Sequence, residues 1–172
     1  MQQYLEVVQR VLETGQRKPN RTGVDTLSTF NVNYQVDLRQ GFPLLTTKEI
    51  SWKNIVVENL WFLSGDTRID LLRRHNCRFW EPWADEAGRV PSAYGNFWRH
   101  FPVHQDGQSG FNDQIRWVID ELCQHPQSRR LVVSAWAPGN AQSSALPPCH
   151  AFWVLNVQHD EEGAPLLCLH LT

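Results

Sequence analysis

The chain closes on a succession of short apolar segments, LVVSAW (131–136), AFWVLNV (151–157) and LLCLHLT (166–172), each rich in β-branched or aromatic residues and too short for an ordinary helix. Upstream the period is helical. Tyr4, Leu5, Val8, Val11 and Leu12 recur at helical spacing and stop at Gly15, which predicts an amphipathic helix over 2–14. Further helices are expected over 51–63 behind a Ser51 cap, over roughly 67–75 behind an Asp66 cap, and over 112–125, where Ile115, Val118, Ile119 and Leu122 share a face and Pro126 ends the run. The 51–63 segment is apolar almost all round, so burial on all sides is expected. Between the first two helices, QRKPNRTG reads as a basic turn and TLSTFNVNYQVDL (26–38) alternates as a long strand. Together these predict a mixed α/β fold built around one sheet.

A length of 172 residues suits one domain with a core large enough to need neither disulfide nor metal, and no repeat or linker divides it. A net charge of −2 argues against a nucleic-acid protein or a membrane-surface binder that works through overall charge. No apolar run approaches membrane-spanning length and the N-terminus lacks the pattern of a secretory signal, so a soluble, cytoplasmic protein is expected. The four cysteines are scattered without a CxxC pair, which favours free thiols. The last strand-like segment runs to Thr172, and a domain rarely stops in mid-strand, so a truncation of something longer is expected.

Four groups of residues could carry chemistry. Cys149 follows Pro147 and Pro148, which fix φ and force extended backbone, so its thiol is held on a rigid entrance to a strand. It is either a nucleophile, activated by positive charge from His150 or from arginines brought near, or a small buried side chain. Zinc ligation would need partners such as His159, Cys168 or His170, and none repeats at the short spacing of structural zinc sites. Glu58, placed near Trp61 and Phe62 on the helical wheel, is either a desolvated general acid or one polar residue on a solvated stripe. Arg21 in NRTG, and Arg129 with Arg130 ahead of a strand, are either a phosphate cradle or solvated charges. Eight tryptophans are many for one domain, and Trp80, Trp83, Trp98 and Trp136 fall beside loops or strand ends, where they line a planar-ligand pocket or simply fill the core.

The order of these signals resembles thymidylate synthase. The matching blocks are RTG (21–23), GFPLLTTK (41–48), ENLWFLSGDT (58–67), FWEPWAD (79–85), AYGNFWR (93–99), DQI (113–115), SRRLVVSAW (128–136) and ALPPCHAFW (145–153). The resemblance implies an α/β fold around a bent mixed sheet flanked by helices, a homodimer, and conversion of dUMP to dTMP with 5,10-methylenetetrahydrofolate as carbon and hydride donor. It implies that Cys149 adds to C6 of the uracil ring, that Glu58 assists proton transfers, and that Tyr94 acts near C5 proton removal. It further implies that Trp80 packs against the folate, that Arg21 binds the nucleotide phosphate, and that Arg129 and Arg130 reach that phosphate from the partner subunit. Ser51 stands where the family commonly carries a folate-contacting histidine. The resemblance implies no metal, membrane or nucleic acid.

Two other activities share these residues. A dUMP or dCMP hydroxymethylase would resolve the same intermediate with water, and a non-catalytic remnant would persist as an interaction subunit. The family continues beyond LHLT with an asparagine that reads the pyrimidine edge and a segment that closes over the folate, so a chain of 172 residues alone is expected not to turn over dUMP at a normal rate.

Overall fold

Helix α1, Gln2–Thr14, forms where the apolar period places it and ends as the Gly15 N–H reaches the Val11 carbonyl. In the computed structural model, which describes residues 2–141 and 144–172, α1 belongs to the first of two compact units, Met1–Ser51 and Trp52–Thr172. None of its residues is fully buried, and Leu5 and Leu12 are exposed. The basic stretch after it is more ordered than a turn: β1, Gln16–Lys18, pairs antiparallel with β2, Thr26–Ser28. Arg17 and Asp25 close the loop between them with a 2.7 Å ion pair. The strand expected over 26–38 therefore stops after three residues. Asn31 takes a φ of 59°, a left-handed conformation that asparagine tolerates and a β-ladder does not.

The second unit holds the core. Helix α2, Trp52–Ser64, buries Val57, Trp61 and Phe62, while Val56, Leu60 and Leu63 are exposed, so one stripe rather than the whole surface is covered. Gly65, at φ 76°, turns the chain out of the helix. The third helix is shorter than expected: α3 runs Asp70–Arg74 with Ile69 at its N-cap, and no side chain caps it. Asp66 instead accepts the Arg68 N–H at 2.8 Å. Arg68 forms an isolated antiparallel bridge with Arg89, flanked by Val90 N–H to the Thr67 carbonyl and Ile69 N–H to the Gly88 carbonyl.

A helix and a β-hairpin between residues 94 and 112 went unread in the sequence. Helix α4, Tyr94–His100, buries Tyr94, Gly95, Phe97 and Trp98 and runs directly into β3, Phe101–Gln105. That strand forms a hairpin with β4, Gln108–Asn112, across a two-residue turn in which Asp106 and Gly107 both have positive φ, at 53° and 75°. The Asp-Gly pair is the signal for such a turn. Polar strands and Pro102 masked it.

Helix α5, Gln114–Gln124, is capped by Asp113, which accepts the Arg116 N–H, and it presents Val118, Ile115 and Leu122 to the core. Ile119, expected on that face, is exposed. Then β5, Val132–Ser134, pairs with β6, Phe152–His159, and β6 with β7, Pro165–Leu171, all antiparallel. A short helix α6, Pro138–Ala141, lies between β5 and β6. The mixed α/β class holds, with the described strands spread over separate antiparallel ladders rather than one sheet.

Candidate active site

The segment that carries Cys149 is anchored on its far side by the sheet. The N–H groups of Ala135 and Trp136 both donate to the Ala151 carbonyl, at 2.8 and 3.1 Å, just before β6 begins. Upstream, the Ser144 hydroxyl donates to the Leu146 carbonyl at 2.9 Å. Proline supplies no N–H at 147 or 148, so the next free donors are those of Cys149 and His150. Both go to one atom. The Tyr94 hydroxyl oxygen accepts the Cys149 N–H at 2.8 Å and the His150 N–H at 3.3 Å. The Cys149 side chain is exposed, with Sγ 3.9 Å from the Pro147 carbonyl.

Tyr94 can hold that turn because it is itself held. Its ring stacks on His150 at 5.2 Å and 27° and meets the edge of Phe62 at 4.9 Å. Trp98 lies 5.9 Å away on the same helix and in turn contacts Trp153 of β6. Burial pushes the Tyr94 phenol above its ordinary value, against the pull of the two N–H donors, so it stays protonated near neutral pH. Gly95 makes the arrangement possible: a Cβ there would lie 2.3 Å from the Phe62 carbonyl oxygen, so α2 and α4 cross in backbone contact.

Glu58 faces the same aromatic group from α2. It is half-buried, and its Oε1 accepts the indole N–H of Trp80 at 2.6 Å. Trp80 and Trp98 are core residues, Trp83 packs half-buried against that core, and Trp136 is exposed. Glu58 therefore lies half-buried at the edge of the aromatic core.

Two further polar anchors had not been singled out. Gln114, at 8% exposure, donates through Nε2 to the carbonyls of Phe97 and Ser134 and accepts the Ser134 N–H, tying α4 and α5 to β5. Arg99 grips both oxygens of Asp113 at 2.8 and 2.7 Å and the Leu63 carbonyl at 2.7 Å. That guanidinium holds the Asp113 carboxyl below the usual carboxylate range. The DQI block carried both Asp113 and Gln114, but only the fold shows what they bind.

The arginines divide between the units. Arg129 and Arg130 are exposed and line an open cavity of about 570 Å³ with Ser128, His125 and Glu121. Arg21 lies in the first unit, exposed in the β1–β2 loop, where Asn20 Oδ1 accepts the Thr22 N–H and hydroxyl and Gly23 takes φ 77°. Ser51 is the last residue of that unit. All four cysteines are free thiols. Among the described residues, no cluster of three or more His, Cys, Asp or Glu side chains could hold a metal ion, and no helix is long and apolar enough to cross a membrane.

The structure thus presents an exposed cysteine on a proline-stiffened turn, pinned by a tyrosine from another helix whose aromatic surroundings also hold a half-buried carboxylate. The family model for thymidylate synthase matches residues 2–172, and the chain belongs to that family. It is similar to a protein of Haloferax volcanii described as thymidylate synthase, with 46% identity over an alignment of 185 positions. That alignment covers 97% of this chain and 52% of the relative, so the chain spans about half the length of the relative it matches.

Proposed function

We propose that this chain carries the nucleophile half of a thymidylate synthase site, acting in the reductive methylation of dUMP to dTMP with 5,10-methylenetetrahydrofolate as co-substrate. The observation that carries it is the Tyr94 clamp on the N–H groups of Cys149 and His150, which fixes a solvent-facing thiol beside the aromatic wall that holds Glu58. Cys149 Sγ would add to C6 of the uracil ring, leaving C5 carbanion-like and able to attack the folate methylene group. A fixed backbone limits where Sγ can sit relative to a bound ring, which is what an addition needs.

Tyr94, protonated near neutral pH, would act near the C5 proton, and Glu58 would move protons to and from the base. Arg21 would bind the nucleotide phosphate, and the exposed pair Arg129 and Arg130 would reach across a homodimer to the phosphate in the other subunit. The open cavity beside that pair supports an anion site completed by a second chain. Trp80 would form the wall behind the folate and offer it little more than an edge, because the ring is only 7% exposed. Ser51 would take the place of a folate-contacting side chain. The two units would be parts of one domain, since a single family model spans both. A cytoplasmic protein with neither membrane nor nucleic acid as partner fits this chemistry. The hydroxymethylase and remnant readings gain nothing from the family match.

The test is incubation with 5-fluoro-dUMP and methylenetetrahydrofolate, read by mass spectrometry under denaturing conditions. Wild type should gain the mass of the ternary covalent adduct and Cys149→Ala should not. A wild type that gains nothing, or an adduct that survives Cys149→Ala, overturns the reading.

A further inference from the structure

The hydrogen bond between Trp80 and Glu58 has a chemical consequence beyond geometry. An indole N–H can only donate. Oε1 of Glu58, 2.6 Å from it, must therefore be an acceptor whether the carboxyl is ionised or neutral. A proton arriving on Oε1 would face the indole hydrogen head-on, so in the neutral acid the proton belongs on Oε2.

The donor is not free to swing away. The Trp80 ring is 7% exposed and meets Trp61 at 5.3 Å, Phe62 edge-on at 5.7 Å and Tyr94 edge-on at 6.1 Å. Phe62 and Tyr94 are themselves in edge contact at 4.9 Å, so each ring stops its neighbour from rotating. Of the titratable neighbours, burial raises the Tyr94 phenol, and burial and the Glu58 charge raise the thiol of Cys77, 1% exposed, so both stay protonated near neutral pH and neither takes the proton from Glu58.

We infer that Trp80 is the positioning residue for Glu58: its N–H locks Oε1 and leaves Oε2 as the oxygen on which Glu58 takes up and releases a proton. The inference rests on the proposed function for its catalytic meaning, and gives Trp80 a task distinct from contact with the folate.

Amide and indole hydrogen exchange in nitrogen-15-labelled protein tests it without any turnover. Glu58→Gln mimics the neutral acid, with a carbonyl oxygen where Oε1 stands and an N–H donor where Oε2 carries its proton. The Trp80 indole N–H should stay protected in Glu58→Gln while its proton resonance moves upfield with loss of the charge. In Glu58→Ala its exchange should rise roughly tenfold or more, the factor expected for losing a hydrogen bond to a charged group. Unchanged exchange in Glu58→Ala would show that the bond does not hold the indole. Protection lost equally in Glu58→Gln would show that Oε1 does not remain the acceptor in the neutral form. Should Glu58→Ala fail to fold, the upfield move in Glu58→Gln decides alone, and a resonance that does not move refutes the inference. None of these outcomes depends on adduct formation, so a chain that forms no adduct yet shows them loses the proposed function and keeps the Trp80 to Glu58 lock.

Discussion

Replacing Gly95 by alanine puts the α2–α4 crossing under direct test. The added Cβ would lie 2.3 Å from the Phe62 carbonyl oxygen and 3.1 Å from the Phe62 carbonyl carbon and Cα. Carbon contacts are comfortable at about 3.5 Å, so α4 must retreat by about 1 Å, and no side-chain rotation relieves the clash because every atom met is backbone. Overpacking of this kind costs about 1–3 kcal/mol. Alanine's better helix propensity returns about 1 kcal/mol at most, which leaves a net loss of roughly 2 kcal/mol. Gly139→Ala is the control: it lies in α6 with nothing within 4 Å of its added Cβ, and should be neutral or slightly stabilising. Urea unfolding of both variants gives the stabilities. Amide exchange at Cys149 and His150 gives the functional reading, because a retreat of α4 draws the Tyr94 hydroxyl away from both N–H groups. If Gly95→Ala stays within about 0.5 kcal/mol of wild type, the surface-substitution range, the crossing is not limited by backbone contact and the reasoning fails.

Gln114→Leu removes three hydrogen bonds and strands the Ser134 N–H, so urea unfolding should show a loss of about 2–4 kcal/mol. Gln114→Glu should be worse at neutral pH, since a carboxylate would then face two carbonyl oxygens. Asp113→Asn keeps a capping side chain but loses the charge that Arg99 grips, with a cost of about 1–2 kcal/mol at pH 7. The folded Asp113 carboxyl lies below its ordinary value, so this contribution is complete above about pH 4 and disappears as pH falls through the lower folded value. Unfolding of both proteins near pH 7 and in strong acid should show the difference shrink. Tyr94→Phe keeps the ring stack and loses the shared acceptor, so amide exchange at Cys149 and His150 should accelerate about tenfold and the 5-fluoro-dUMP adduct should form more slowly.

Local pattern carried the fold where one physical period dominated. The helices at Gln2–Thr14, Trp52–Ser64 and Gln114–Gln124 follow from apolar spacing and nearby caps or breakers, and β5 to β7 follow from β-branched and aromatic runs. It failed where a single residue or a distant partner overrode the pattern. Asn31 ended a well-alternating strand through one left-handed φ. The bridge between Arg68 and Arg89, with its flanking backbone hydrogen bonds, took the first turn that a helix after Asp66 would have used. Helix α4 was hidden because Gly95 is a poor helix former, and only its proximity to Phe62 explains why glycine stands there.

The candidate site shows the same division more sharply. Its residue types were legible: a thiol behind two prolines, a carboxyl among aromatics, arginines on connectors. Their relations were not, because Tyr94 and Cys149 lie 55 positions apart and Glu58 and Trp80 lie 22 apart. Periodicity has no term for such separations. A tryptophan read from the chain can offer a flat face, a core filling or an N–H, and which of these it uses depends on what the fold puts beside it. Trp80 is wedged among Trp61, Phe62 and Tyr94, and its N–H meets the carboxylate of Glu58. The aromatic load therefore serves the site by immobilising a donor and a hydroxyl. Glu58 and Cys149, the groups expected to react, stay at the margin of the core where a substrate can reach them.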